Sequence, residues 1–404
     1  MDNVTHALAG ALLAAATCRS AEPHAGDSIS TFRRAAFVTG IVAAELPDAD
    51  LLYAGAPMQM GNLGYLLHHR GYTHTVLFAL VGAALVWAIA LAFQRTLREA
   101  HHARALLMLS IAGALSHIAL DYTNSYGVHP FWPFLRRWFY GDAVFIVEPW
   151  FWIVSLPALF LVARRAVWRF LCVCLLLAIV VASWRVSMVG GTVALVLTLT
   201  SVAWWGALRY TPASSRVTTA LAAWLALELI FFGASGAARR VVREQVGAPY
   251  RDVALSPMPG DPFCFSAVLV RQDGDTYGAA RATVAPFPRV RDVFACAGRD
   301  NASVGEPDTR VAQTHAIRWE PSWTAPIAEL RELASSNCTA AAALRFIRVP
   351  VWERNADGTT TLSDLRFGGG RGGFTAVRLI PGARCPDHVP DWEFPRRDLL
   401  GAGL

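Results

Sequence analysis

Ten residues, Leu66 to Thr75, carry three histidines and an arginine, and an uncharged apolar run from Val76 to Phe93 follows at once. A membrane helix that begins there sets metal-competent groups at the water boundary of a bilayer, where polar side chains are costly unless used. Further residues of the same kind recur along the first 150: His6, the group Glu45, Asp48 and Asp50, the pair His117 and Asp121, then Asp142 and Glu148. The four-residue spacing of His117 and Asp121 puts both on one helix face. Imidazoles and carboxylates without thiolate suit zinc or another borderline divalent ion such as manganese. There are enough ligands for two ions, and a pair of ions activates water and clamps the attacking and leaving oxygens of a displacement, which makes hydrolysis the natural reaction class. Arg70, with its planar fork, suits an anionic oxygen of a substrate.

Each residue also has an ordinary reading. His6 alone reads as a helix-end histidine, Leu46-Pro47-Asp48-Ala49-Asp50 as a helix stop and turn, and His68, His69 and His74 as interfacial anchors. The His117/Asp121 pair could be a buried hydrogen bond. Asp142 and His129 read as loop and turn residues, and His101 and His102 as solvated on the opposite side. The argument for a shared site comes from the elements that position these groups.

Of the 404 residues, 54% are hydrophobic and only 16% charged, whereas a soluble chain carries about a quarter charged. An integral membrane protein is the first reading. All 36 basic residues are arginine; they punctuate apolar runs rather than forming a basic face, so a nucleic-acid partner is not expected. Apolar helices are expected over 4–17 and 35–46, both short of the ~20 residues that span a bilayer. Loops are expected over a polar stretch containing Pro23, Gly26, Arg33 and Arg34, and over Gly55–Gly64. Spans follow over 76–93, 105–120, 145–163, 167–184, 188–208 and 217–234. Counting crossings brings His6, Asp48, Asp50, the 68–74 histidines, His117, Asp121 and Glu148 to one membrane face. Asp2 stands where a signal peptide needs positive charge, so the first helix is read as retained.

From about residue 240 the composition turns soluble. Segments 265–271, 344–352 and 374–380 read as strands, Asn355–Gly358 as a turn and 325–334 as a helix. The fold class is therefore a mainly α membrane protein of about six transmembrane helices plus two short N-terminal helices, with a C-terminal soluble mainly β domain. Three regions are expected: 1–150 with the metal site, 151–238 with further spans, and 239–404. Cys264, Cys296, Cys338 and Cys385 lack metal spacing and suit one or two disulfides. Loops after spans one, three and five hold most arginines, which puts the site and the C-terminal domain on the outer side, although Arg239, Arg240 and Arg243 count against this.

Four motifs now stand in order: Met1-x-x-x-Thr5-His6, Leu46-Pro-Asp-x-Asp50, His69-Arg-Gly-x-Thr-His74, and Ser116-His117-x-x-x-Asp121 with Thr123 and Gly127 behind it. Over residues 1 to 150 the chain resembles the bacterial inner-membrane metal-dependent hydrolases, also described as LexA-binding, inner-membrane-associated hydrolases. The resemblance implies a membrane-bound hydrolase using one or two divalent ions, zinc or manganese. Its metal ligands would be His6, Asp48, Asp50, His69, His74, His117 and Asp121. From their own chemistry, Arg70, Asp48 and Asp121 are the candidates for catalysis. Glu148 stands where the family often has aspartate and is carried as a further ligand. The expected partners are the lipid bilayer and an amphiphilic or small-molecule substrate. A phosphatidic-acid phosphatase would need a lysine-led motif, and an intramembrane zinc protease a His-Glu-x-x-His segment; neither occurs. The rival reading is a membrane scaffold or sensor with a structural metal and a partner-binding C-terminal domain.

Overall fold

The computed structural model describes residues 1–21, 29–54, 60–246, 250–297, 313–368 and 373–401. Helix α1 (Asn3–Ala21) starts where the Asp2 carboxylate accepts from Thr5 N at 3.0 Å, an N-cap that satisfies one orphan donor. Helix α2 (Ile29–Glu45) takes in Arg33 and Arg34. Both helices run longer than expected, and the loop at Pro23 and Gly26 lies outside the described residues. Pro47 cannot continue the α ladder, so the chain tightens into a 3-10 turn, Leu46–Asp50, before α3 (Leu51–Ala54). Helix α4 (Asn62–His68) occupies the end of the expected Gly55–Gly64 loop, of which 55–59 lie outside the described residues. A second 3-10 turn, Tyr72–His74, leads into α5 (Val76–Phe93), capped by the Thr75 hydroxyl accepting from Phe78 N at 3.0 Å.

Helix α6 (Ala100–Tyr122) begins a turn earlier than expected and thereby buries His102. The His102 ring stacks on Phe32 at 4.5 Å, so it is a packing residue and not a solvated one, while His101 stays exposed. Helices α7 (Pro149–Val162), α8 (Ala166–Arg185), α9 (Gly191–Tyr210) and α10 (Arg216–Val246) complete the bundle. By length and composition five helices can cross a membrane: α5, α6, α8, α9 and α10. The expected third span is α7, whose 14 residues reach only about 21 Å and which is buried along most of its length. It runs through the bundle from Glu148, which accepts from Gly260 N, to Val162, whose carbonyl accepts from Arg33, so α7 is a short buried crossing and, among the described residues, five helices are long enough to span where about six spans are expected.

The C-terminal part is built of antiparallel sheets. Strands β1 (Asp252–Met258), β2 (Asp261–Asp273), β3 (Thr276–Val284) and β4 (Ile317–Trp319) lie in that order, and β5 (Trp323–Pro326) also pairs with β3. Helices α11 (Ile327–Ser336) and α12 (Cys338–Leu344) separate this sheet from a second one, β6 (Pro350–Arg354), β7 (Thr360–Asp364) and β8 (Val377–Leu379), and α13 (Arg397–Leu400) follows. The expected strand over 344–352 is cut back at its start because Asn337 caps α12, accepting from Ala340 N at 3.0 Å. Disulfides join Cys264 to Cys296 and Cys338 to Cys385.

Close helix packing positions the chemistry. Gly10 of α1 and Gly40 of α2 face each other so tightly that a Cβ on Gly40 would sit 2.6 Å from the Gly10 carbonyl, and one on Gly113 of α6 would sit 3.1 Å from the Gly40 carbonyl. Small residues let membrane helices approach in this way. The crossing holds the three helices that deliver His6, the 46–50 turn and His117. Gly40→Ala should therefore push α1 from α2, cost about 1–3 kcal/mol of stability, and lower both the melting temperature in detergent and the retained metal. An unchanged melting temperature would refute the crossing as drawn.

Candidate metal centre

The 3-10 turn after α2 projects Asp48 and Asp50, the turn before α5 projects His74, and the last turns of α6 project His117 and Asp121. Four of their atoms meet. His74 Nε2 lies 3.3 Å from Asp48 Oδ1, 3.0 Å from Asp121 Oδ2 and 3.1 Å from His117 Nε2. His117 Nε2 in turn lies 3.4 Å from Asp48 Oδ1 and 3.3 Å from Asp121 Oδ2. Five edges of a tetrahedron thus span 3.0 to 3.4 Å. Tetrahedral zinc with bonds of about 2.0–2.1 Å requires donor separations of about 3.3 Å. The donor chemistry, two imidazoles and two carboxylates without thiolate, also suits a borderline divalent ion.

Surrounding contacts orient these donors. His117 Nδ1 lies 2.5 Å from the Ala44 carbonyl, which fixes its tautomer with Nε2 free for an ion. His74 Nδ1 lies 3.2 Å from Asp50 Oδ2, an oxygen that also accepts from Arg70 N and Thr73 Oγ1, both at 2.9 Å. Asp50 Oδ1 faces His69 Nδ1 at 3.0 Å. Asp50 is therefore placed to aim His74, and together with Asp48 and His69 it forms a second group able to hold an ion.

A third layer gathers on Asp121. Its Oδ1 receives the Arg70 guanidinium at 2.9 Å and the amino group of Met1, and His6 Nε2 stands 3.4 Å away. Arg70 is itself held by Asn124 Oδ1 at 3.0 Å and has a left-handed backbone, φ 62°. That conformation is strained for a residue with a Cβ. His6 stacks on His117 at 3.7 Å; among the described residues neither of its ring nitrogens has a hydrogen-bond partner. Such orphaned buried groups are expected where a ligand completes the site.

Other expected residues fall elsewhere. Glu148 lies outside the metal-capable groups of the described residues: its carboxylate accepts from Trp150 N at 3.3 Å and from Gly260 N at 3.2 Å, and burial pushes its pKa up to about 8 despite those bonds. Asp142 pairs with Arg348 and Arg239. His68 is buried apart from the groups, edge-on to Tyr53. Asn3, Thr73 and Asn124 were not foreseen. Asn3 Nδ2 donates to Asp48 Oδ2 at 2.7 Å and so holds the carboxylate whose other oxygen closes the tetrahedron. Thr73 was visible inside the 69–74 motif; Asn3 and Asn124 carried no signal beyond lying next to motif residues.

Residues 1–190 match the family described as YdjM inner membrane protein. A 159-residue stretch is 24% identical to the uncharacterized protein YfhP of Bacillus subtilis (strain 168), covering 39% of this chain and 45% of that protein. The chain thus spans less than half the length of that relative. No solved structure matches. The family match contains every member of the two donor groups, and together with the five apolar helices it describes a multi-pass membrane protein.

Electrostatics bear on metal uptake. Burial alone would raise the Asp48 and Asp50 carboxyls, yet hydrogen bonds with His117 and His74 on Asp48, and with His69 and His74 on Asp50, hold both well below the usual carboxylate range. Burial would likewise lower His74, but hydrogen bonds to Asp121, Asp48 and Asp50 push it up to about 10. Without an ion, the proton on His74 stabilises the fold fully below its ordinary 6.5, and this contribution is lost as pH rises towards 10. An incoming ion must displace that proton. Zinc titrated by calorimetry into metal-stripped protein, in buffers of different ionisation enthalpy, should release about one proton from His74, and affinity should rise about tenfold per pH unit between pH 7 and 9. His74→Ala should abolish binding and Asp50→Ala should weaken it about 10–100-fold. A pH-independent affinity would contradict the assignment.

Proposed function

We propose that the chain is a membrane-bound metal-dependent hydrolase that works at the bilayer interface on phosphoester or ester bonds of lipid or envelope substrates. His74, His117, Asp48 and Asp121 would hold a first divalent ion, zinc or manganese, and Asp50 and His69 with Asp48 a second. The observation that carries this reading is the surplus of polar groups on Asp121. A structural ion needs four donors; here a strained, buried arginine and a buried His6 also converge on the acid that closes the set. A bound divalent ion supplies activated water and polarises the scissile oxygen. Arg70 would bind an anionic oxygen of the substrate, and its Nε has no partner among the described residues. His6 would take or return a proton, and Asn124 and Asp121 would keep Arg70 aimed.

The outward orientation of the site and C-terminal domain belongs to the same proposal. Arg33 Nη2 donates to the Val162 carbonyl at 3.0 Å, which adds Arg33 and Arg34 to the arginine-rich side. On the other side, Arg70 and Arg239 are bound to Asp121 and Asp142 rather than free to act as topology signals. Two disulfides suit an oxidising compartment.

The scaffold reading keeps one specific observation, that the first group brings four protein donors together, the number a tetrahedral structural ion takes. A panel of chromogenic phosphodiesters and esters offered to the detergent-purified, metal-loaded protein separates the two. Hydrolysis is expected, lost in Asp48→Ala together with metal, and reduced about 10²-fold in Arg70→Lys with metal retained. A metal-replete protein inert on the whole panel would favour the scaffold.

A further inference from the structure

Beside the metal centre, on the other side of α1 and α6, lies a cavity of about 400 Å³ that the mechanism above does not use. Its walls are Ala9 and Leu13 of α1, Leu120 of α6, and Leu221, Leu225 and Phe232 of α10. The volume falls within the about 300–1,000 Å³ of small-molecule sites. Leu225 is 62% exposed and Phe232 36%, both on a membrane-spanning helix, so the mouth opens on the face that lipid would cover. The lining reaches the metal centre: Leu120 and Tyr122 flank Asp121 in sequence, and the hydroxyl of the next residue, Thr123, contacts Met1, whose amino group binds Asp121.

One residue breaks the apolar lining. Glu228 belongs to the cavity wall, both its carboxyl oxygens are buried, and among the described residues neither has a hydrogen-bond partner. A carboxyl group inside a membrane helix is expensive unless it is used, and by default marks a functional site. No described residue supplies a donor or acceptor to it, which leaves that place to an occupant of the cavity. An apolar cavity open to lipid, ending beside a hydrolytic centre and carrying one hydrogen-bonding group, fits an acyl chain entering from the bilayer with its ester linkage against the carboxyl.

We propose that this cavity is a lipid-chain subsite, which holds one acyl chain of a bilayer glycerolipid with its ester carbonyl accepting a hydrogen bond from the carboxylic acid form of Glu228. The inference rests on the hydrolase reading for its purpose and names the substrate class as a glycerolipid. Its physical content, occupancy of the cavity by a chain, stands apart from catalysis.

The test uses the full-length protein in nanodiscs containing a phosphatidylglycerol with a photoreactive diazirine midway along one acyl chain. After irradiation, labelled peptides are mapped by mass spectrometry. Label is expected on the cavity-lining segments of α1, α6 and α10 at least fivefold above that on the outward faces of α8 and α9. Ala119→Trp, which puts an indole into the cavity wall, should remove this excess while metal content and melting temperature hold. Glu228→Leu should cut it about threefold, and Glu228→Gln, which still hydrogen-bonds, should largely preserve it. Label spread evenly over the lipid-facing helices, or an excess that survives Ala119→Trp in a folded, metal-loaded protein, would overturn the subsite. Failure of the hydrolase reading is seen separately: cavity labelling with no hydrolysis of the chromogenic panel would leave a lipid site without the enzyme.

Discussion

The structure depends on how three buried carboxylates are neutralised around one imidazole. Asp48, Asp50 and Asp121 all reach His74, within 3.3, 3.2 and 3.0 Å. Desolvating that much negative charge without compensation would cost several kcal/mol for each ion. The protein answers with Arg70 and the Met1 amino group on Asp121, with hydrogen bonds from Thr73 and Arg70 N on Asp50, and with Asn3 on Asp48. What remains unmatched is concentrated where His74 Nε2 and His117 Nε2 face each other with carboxylate oxygens on either side. Two imidazole nitrogens at that distance share one proton or one cation.

Backbone geometry follows from this charge constraint. Asp48 and Asp50 are two residues apart and serve different groups, one in the tetrahedron and one behind His74. The tight 3-10 turn imposed by Pro47 separates them while keeping both near the end of α2. The second tight turn lets His69 and His74 approach Asp50 from one loop, and the left-handed Arg70 between them folds the chain back so that its guanidinium reaches Asp121. Strain of this sort persists only where the surroundings over-determine it. Here Asp50, Asn124 and Asp121 do so.

Much of the site was legible in the sequence because metal chemistry restricts residue types and helix geometry restricts spacing. His117 and Asp121 announce themselves by a four-residue step, and the 69–74 motif packs several of the needed groups into one loop. Glu148 misled because a carboxylate before an apolar helix looks the same whether it binds an ion or caps the helix; the deciding partner, Gly260 N, is 112 residues away. His102 misled because solvation was inferred from a loop that proves to be helix. Length was misread at α7, where hydropathy cannot distinguish a short helix buried in protein from a full span in lipid. Glu228 passed unnoticed for the same reason, as one acid inside an otherwise convincing span.

The C-terminal sheets also bear on the centre, though none of their described residues is a donor in the two groups gathered there. Arg348, itself buried, binds Asp142 at 2.9 Å and Asp252 at 2.7 Å, and the Asp142 carbonyl accepts from Ser235 of α10 at 2.7 Å. Arg366 donates to the Ser125 carbonyl, and Trp392 to that of Leu67 while stacking on His129. These contacts grip the chain on both sides of the centre, just before His69 and just after Asp121. Losing one partner of such a buried pair is far more costly than the net worth of the pair. The loops that carry Arg70 and Asn124 are thereby held from outside the bundle, so the precision of a site built on two short turns comes in part from a domain more than 200 residues further along the chain.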